Sequence, residues 1–197
     1  MTVAACALLG YLLGSLPFSL WLVGSFSGSD VRAVGDGNPG AANAWRAGGW
    51  RIGFPTLLLD VLKGAAAPAV ARGVFGLHGW TLLPIALSPV LGHVASPWMR
   101  WRGGRGIACT FGVWSALTYW VVPTGFGLLL ALIALVQSVS AWTVVFALGG
   151  TLLVLVGLRS EPYLIVTFLV NAGLLVWTHR KALLARPQFR LRIRGGR

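Results

Sequence analysis

Two glycine-rich segments carry the residue types that could bind an anion. The first runs Gly35-Asp36-Gly37-Asn38-Pro39-Gly40-Ala41-Ala42-Asn43, and Arg46 follows it. Glycine lets backbone N–H groups approach a ligand closely, and the asparagine amides add further donors. Arg46 supplies a planar guanidinium that suits phosphate oxygens. The pattern predicts a phosphate-binding loop, and an ordinary turn before a helix is the alternative interpretation.

The second segment is Arg102-Gly103-Gly104-Arg105-Gly106. It lacks the GxxxxGK[ST] spacing of a Walker A loop. Two arginines on a glycine-rich loop can hold a phosphate by charge and by backbone donors together. They can equally anchor the chain to anionic lipid headgroups, so these residues alone leave both interpretations open.

Asp60 and Lys63 stand inside an otherwise apolar stretch. Residues three apart share one face of a helix, so the two charges can pair. Charges within a membrane span usually face a polar interior or a functional site. The pattern predicts either an ion pair that locks helices together or direct contact of these side chains with a ligand.

The apolar composition of the chain indicates what kind of elements position these residues. The chain has 197 residues, of which 56% are hydrophobic and 10% charged, whereas soluble domains carry about 25% charged residues. Sixteen bases face four acids, giving a net charge of +12. Because those bases stand between long apolar runs, we expect an all-α integral membrane protein rather than a nucleic-acid-binding one. Cys6 and Cys109 form no metal-ligand cluster or disulfide framework.

The apolar runs predict seven membrane spans, with six as the alternative. The 53-residue stretch 106–158 has no acid or base and must cross more than once, since one span takes about 20 residues. Pro123-Thr-Gly and Gln137–Ser140 are the expected breaks within it. The predicted spans are 3–26, 52–71, 74–99, three within 106–158, and 162–178.

Basic residues orient the spans. With seven spans, thirteen bases lie on one face and two, Arg72 and Arg159, on the other. The positive-inside rule then places the N-terminus outside and the basic tail 181–197 in the cytoplasm, after a single membrane domain 1–180. We expect the tail to be a flexible arm held by anionic lipids. Both glycine-rich loops fall on the cytoplasmic face, which predicts one site opening there on the inner membrane.

The histidines divide between the two faces. His93 and His179 lie on the predicted cytoplasmic face, and His78 on the outer one. An imidazole exchanges a proton near neutral pH, so His93 and His179 are candidates for phosphate contact or acid–base chemistry. A structural, hydrogen-bonded histidine is the alternative.

Taken in order, these motifs resemble the bacterial acyl-phosphate-dependent glycerol-3-phosphate acyltransferases, the PlsY family. The resemblance rests on the motifs Gly14-Ser15-Leu16-Pro17, the first glycine-rich segment with Arg46, Asp60-Val-Leu-Lys63-Gly64, Leu91-Gly92-His93, and Arg102–Gly106 with Phe111-Gly112. It runs from about residue 10 to His179. It implies a seven-span enzyme with no metal or organic cofactor, working as a monomer among membrane lipids.

The resemblance also implies an activity and a site. The family transfers a fatty acyl group from acyl phosphate to the 1-hydroxyl of glycerol 3-phosphate, giving lysophosphatidic acid and phosphate. By this resemblance Arg46, Arg105 and His179 are candidate catalytic residues, and Asp36 is added to them as a candidate base on its own chemistry. The candidate substrate-binding residues are Gly37, Asn38, Gly40, Asn43, Lys63, His93, Arg102, Gly103, Gly104 and Ser140.

Several positions depart from the family pattern, and three of them lie where the acceptor would be recognised. Asp36 stands where the family generally has serine, Ala42 where it has threonine, and Ala182 where it has asparagine. The negative charge of Asp36 opposes phosphate binding unless Arg46 or Arg105 offsets it, and its carboxylate could serve as a base toward the acceptor. A different acceptor is therefore one alternative, and a catalytically silent homologue or a transporter is another.

Overall fold

A computed structural model describes residues 1–189 of the chain, and within them the regular structure is almost entirely helical. The α-helices of this part are α1 (Thr2–Ser15), α2 (Phe18–Ser27), α3 (Ala41–Gly48), α4 (Trp50–Gly73), α5 (Leu82–Val94), α6 (Ile107–Thr118), α7 (Val121–Val136), α8 (Ser140–Gly157) and α9 (Pro162–His179). Short 3₁₀ turns connect several of them. The all-α expectation is confirmed.

Each of the seven predicted spans contains helix. Five segments of the described chain are long and apolar enough to cross a membrane: Thr2–Ser27, Trp50–Gly73, Gly79–Met99, Ser140–Gly157 and Pro162–His179. The apolar helices α6 and α7 are shorter. At about 1.5 Å per residue, the 12 residues of α6 reach only about 18 Å, less than the ~30 Å hydrocarbon core.

The first predicted span, 3–26, is interrupted. α1 ends at Ser15 and α2 begins at Phe18, and Leu16 between them is extended, with φ −61° and ψ 124°. Pro17 causes the break, because its ring disfavours helical geometry in the preceding residue and it has no N–H to donate. The break exposes the carbonyl of Leu16, which becomes important for the site below.

The expected break at Pro123 was wrong by a few residues. The chain turns instead at Tyr119 and Trp120, whose φ values of 48° and 75° lie in the left-handed region. Pro123 is the third residue of α7. A proline in the first turn of a helix costs little, because the N–H groups there have no partner within the helix. The second break, between α7 and α8 at Gln137–Val139, falls where it was predicted.

The predicted loop 27–51 contains a helix, α3, which packs on α4. A small apolar cluster supports it, formed by Val23 of α2, Val31, Ala44 of α3 and Ile52 of α4. The main core is separate and draws on α1 and on α4 to α9. α3 therefore packs in a small core of its own, beside the principal helix bundle.

Glycines set the closest helix contacts. A side chain on Gly14 of α1 would strike the backbone of Pro89, and one on Gly92 of α5 would strike the backbone of Tyr11. α4 and α6 have the same arrangement, with Gly64 against Cys109 and Gly112 against Val61. Small residues permit this backbone approach, which stabilises helix pairs in membranes through close packing.

The beginning of the basic tail is packed against the bundle. Gln137 forms an antiparallel bridge with Phe189, the Ser138 N–H donates to the Gln188 carbonyl at 2.9 Å, and Trp142 Nε1 donates to Ala185 at 2.7 Å. The expectation of a flexible arm from residue 181 is therefore wrong for this segment. Four of the tail's bases, Arg190, Arg192, Arg194 and Arg197, lie outside the described residues.

We expect Gly112→Ala to lower the free energy of unfolding by about 1–3 kcal/mol, because a Cβ there overlaps the Val61 carbonyl and forces α6 away from α4. Thermal unfolding of the purified protein in detergent measures the change. Gly149→Ala in α8 is the matched control, since no atom lies near its added Cβ and alanine favours helix. Equal melting temperatures for the two variants would contradict the proposed close contact.

Candidate functional site

A tight turn presents Asp36 at the mouth of the site. Gly35 and Gly37 on either side of it adopt left-handed φ values of 61° and 74°. A side chain on Gly35 would also overlap Asn43 Oδ1 and crowd the Arg46 guanidinium. Glycine is thus required at position 35 both by the backbone conformation and by the close approach of these two polar side chains.

Asn43, in the first turn of α3, ties this turn together. Its Nδ2 donates to Asp36 Oδ1 at 2.9 Å and to the Asn38 carbonyl at 3.0 Å. Its Oδ1 accepts a 2.6 Å hydrogen bond from Arg46 Nη1. Asn43 is almost fully buried, so both ends of its amide need these partners. Through this one side chain, the position of the loop fixes the position of the Arg46 guanidinium.

Asp36 links the two glycine-rich segments. Its Oδ2 lies 2.7 Å from Arg105 Nη1, and its Oδ1 also accepts the Asn38 N–H at 3.2 Å. Partial burial raises the pKa of this carboxyl, but the Asn38 hydrogen bond, the Arg105 charge and the Asn43 amide outweigh it and leave the pKa below its ordinary value. Asp36 is therefore ionised at neutral pH.

The second glycine-rich segment is fastened to the end of α5. The Gly103 N–H donates to the Val94 carbonyl at 2.9 Å, and the Gly104 N–H donates to the His93 carbonyl at 3.1 Å. A side chain on Gly104 would overlap the His93 ring. The two amides that the sequence suggested for phosphate thus have backbone partners, and what the glycines provide is a close fit that sets Arg102 and Arg105 in place.

Beneath the loops lies a buried charge pair. Lys63 Nζ is 2.8 Å from Asp60 Oδ1 and donates to the Leu16 carbonyl at 2.8 Å, the group released by the break at Pro17. His93 Nδ1 lies 3.8 Å from Asp60 Oδ1 and is buried without a hydrogen-bond partner in the described chain. The contacts of Lys63 are those of the helix-locking ion pair, one of the two interpretations of this motif.

The C-terminal end of α9 contributes His179 and Thr178. His179 Nδ1 lies 2.7 Å from the Leu175 carbonyl, and because a carbonyl only accepts, Nδ1 carries the proton. In the neutral ring Nε2 is then an acceptor. Thr178 Oγ1 donates to the Arg105 carbonyl at 3.0 Å, which joins α9 to the second loop.

These residues surround two neighbouring cavities. The first cavity has a volume of about 350 Å³, and its polar lining consists of Asp36, Asn38, Gly40, Asn43, Arg46, Asp60, His93, Arg105, Ser140 and His179. Apolar residues that line it include Leu57, Ile107, Phe111 and Val144. The second cavity, of about 330 Å³, is lined by residues that include Gly37, Arg102, Gly103, Gly104, Arg180 and Lys181. Asp36, Asn38 and Arg105 line both cavities.

All but one of the candidate site residues line these cavities. The exception is Lys63, which lines neither cavity. Arg180 and Lys181, which line the second cavity, were not predicted, and Asp60, which lines the first, was predicted only as half of a charge pair that either locks helices or contacts a ligand. The signal for Asp60 was its position as an acid within a span. Arg180 and Lys181 were interpreted only as the start of a lipid-binding tail.

In both sequence and fold, the chain is similar to known glycerol-3-phosphate acyltransferases. Residues 4–185 match the family model described as glycerol-3-phosphate acyltransferase. A glycerol-3-phosphate acyltransferase of Thermus thermophilus is 40% identical over 93% of this chain and 91% of its own length, and one of Parasynechococcus marenigrum is 37% identical over 91% and 84%. A crystal structure of PlsY, an integral membrane glycerol 3-phosphate acyltransferase in its glycerol 3-phosphate form, superposes with a TM-score of 0.85 at 29% identity, covering 93% of this chain and 91% of that one. Its lysophosphatidic acid form superposes with a TM-score of 0.83 at 27% identity and the same coverage.

We expect Asp60→Asn to lower the free energy of unfolding by about 3–5 kcal/mol, because it leaves the Lys63 ammonium buried without its counter-charge. Thermal unfolding in detergent measures the change. Adding Lys63→Met to the same chain removes the unpaired charge and should recover part of the loss. Asp30→Asn, which breaks the exposed Asp30–Arg32 pair, is the matched control and should cost less than about 1 kcal/mol. A double variant no more stable than Asp60→Asn would contradict this account.

Proposed function

This chain belongs to the glycerol-3-phosphate acyltransferase family, and we propose that its two neighbouring cavities form the site of acyl transfer from an acyl phosphate. The chain is an all-α, multi-pass integral membrane enzyme that produces lysophosphatidic acid. The prediction of the family and its activity from sequence is thereby confirmed. One observation above all carries the proposed location: two guanidinium groups and several apolar side chains line the same cavity.

The reaction needs both the polar and the apolar lining of that cavity. An acyl phosphate carries a charged phosphate joined to a fatty chain, and glycerol 3-phosphate carries a phosphate and free hydroxyls. In the proposed step the 1-hydroxyl oxygen bonds to the acyl carbon, the bond between that carbon and the phosphate oxygen breaks, and inorganic phosphate leaves. The apolar lining formed by Leu57, Ile107 and Phe111 suits the first carbons of the chain, and the polar lining suits the phosphates.

Arg46 and Arg105 stabilise the charge that collects on the departing phosphate. A guanidinium has five N–H donors, and the bond to Asn43 uses one of those on Arg46. Because the Asn43 contact fixes Arg46 before substrate arrives, little reorganisation is needed when the charge develops. Asn38, Gly40, His93 and Ser140, which line the same cavity, complete the proposed binding surface. In the second cavity, Arg102, Gly103 and Gly104 of the second glycine-rich segment and Gly37 of the first form the corresponding surface.

His179 orients the attacking hydroxyl. Its Nδ1 proton is engaged by Leu175, so Nε2 can accept a hydrogen bond from the substrate O–H. The departing phosphate can take the hydroxyl proton as it leaves, which balances the step. Asp36 is the second group able to accept that proton, although its lowered pKa makes it a weak base.

We place the cavities on the cytoplasmic side, with the N-terminus outside and seven crossings. The loops 28–40 and 100–106, the turn at 137–140 and residues 179–182 all meet at one end of the bundle, around the two cavities. Arg72 and His78 line a separate hollow, reached from the other end of α4. This distribution supports the orientation expected from the positive-inside rule.

We expect Arg46→Ala to lower kcat/KM by about 10²–10³-fold, the usual loss when one fixed donor to a developing anion is removed. The assay is phosphate release from palmitoyl phosphate by purified protein in lipidic mesophase, with and without glycerol 3-phosphate. Arg46→Lys keeps the charge but not the planar fork, so it should recover only part of the rate.

Arg51→Ala serves as the control for Arg46→Ala. Arg51 lies five residues further along, stacks over the Trp50 ring at 5.9 Å and lines neither cavity. The control should keep the wild-type rate. Acceptor-dependent turnover that survives undiminished in folded Arg46→Ala would remove Arg46 from the site.

A further inference from the structure

The Asp36 carboxylate occupies hydrogen-bond donors that suit a phosphate. Its Oδ1 accepts from the Asn38 N–H at 3.2 Å and from Asn43 Nδ2 at 2.9 Å, while its Oδ2 pairs with Arg105 at 2.7 Å. A backbone amide, a side-chain amide and a guanidinium therefore converge on one anionic group. Carboxylates and phosphates are oxygen anions that accept from the same kinds of donor.

The Asp36–Arg105 ion pair affects phosphate binding because of where it lies. Asp36 and Arg105 both line the two cavities, so their contact forms part of the partition between them. The side chains are 44% and 27% exposed, respectively. Neither is locked in the core, and the pair can separate by side-chain rotation while the helices stay in place.

We propose that Asp36 is an internal competitor for phosphate, whose carboxylate must leave Arg105 before a substrate phosphate can engage that guanidinium. This inference rests on the acyl-transfer site proposed above. A phosphate entering either cavity exchanges with the carboxylate, which then turns toward solvent. Each phosphate group is held less tightly than the same donors would hold it without Asp36, and each leaves more readily.

The surrounding charge keeps this exchange feasible. Arg46, Arg102, Arg180 and Lys181 also line the cavities, so the region stays positive with Asp36 ionised. The negative charge of Asp60 is offset by Lys63 at 2.8 Å. The cavities therefore still attract a phosphate, and Asp36 sets how firmly it is retained. Substrate and product phosphates meet the same competitor, so product release becomes easier along with substrate loss.

This role differs from that of a proton acceptor in a measurable way. Replacing a general base slows the chemical step and lowers kcat. Replacing a competitor frees Arg105, which lowers KM and the inhibition constant of inorganic phosphate while the chemical step remains. Asp36→Asn keeps the size of the side chain and removes its charge, and Asp36→Ser removes the carboxylate altogether.

The test compares these variants with wild type in the palmitoyl phosphate assay, with inorganic phosphate as the inhibitor. We expect the inhibition constant of inorganic phosphate and the KM for glycerol 3-phosphate to fall about three- to tenfold in both variants, the range for a partly exposed charged contact. Asp30→Asn is the matched control: it removes one negative charge from the same loop, at a pair that touches neither cavity, and should change neither constant.

Each other result has a distinct meaning. Unchanged constants in both Asp36 variants, with turnover intact, overturn the competitor role. An equal fall in Asp30→Asn also overturns it, by assigning the effect to the overall charge of the loop. Turnover that slows by about a hundredfold or more, the usual contribution of a general base, with KM unchanged makes Asp36 the base instead. Wild-type turnover that ignores glycerol 3-phosphate contradicts the proposed function itself, independently of Asp36.

Discussion

An ammonium and a carboxylate buried among helices, Lys63 and Asp60, hold the rest of the architecture in register. A backbone carbonyl in a membrane interior needs a partner, and the break at Pro17 leaves Leu16 without its helical one. Lys63 supplies that partner, Asp60 neutralises Lys63, and His93 lies beside Asp60. Polar contacts thus connect α4 to the end of α1, and α5 places His93 Nδ1 3.8 Å from Asp60. The carbonyl that lacks a helical partner in one helix accepts a hydrogen bond from a charged side chain of another. That charge lies close to the polar cavity.

Close backbone packing turns this connection into a site. Glycines bring α1 against α5 and α4 against α6, so the segments that leave these helices at one end are forced together. The loop carrying Arg105 then lies on the end of α5, and the Gly35–Gly37 turn reaches it through Asp36. α3 adds Arg46 from its own small core. The polar residues are dispersed along the sequence, yet rigid elements deliver them all to one surface, as a preorganised site requires.

Much of this could be predicted from the sequence because the constraints were local. Apolar runs marked the helices, and the glycine-rich runs with arginine marked both halves of the site. The break at Tyr119–Trp120 could not be predicted, since neither residue type favours a left-handed φ. The hydrogen bonds of the Gly103 and Gly104 amides were likewise not predictable, because the way the loop folds back on the end of α5 leaves no local sequence signal. Long-range contacts explain why Arg180 and Lys181 were missed as lining residues.

The residues that line the cavity come from widely separated parts of the chain, and this has a consequence for biosynthesis. The earliest wall residue of the first cavity is Asp36 and the last is His179, at the end of α9. A nascent chain entering the membrane can pair α1 with α5 and α4 with α6 while its later helices are still being made. The first cavity acquires His179 only once α9 has been inserted. Both this cavity and the main core are therefore completed late in translation, and a ribosome that stalls before α9 leaves each of them without that helix.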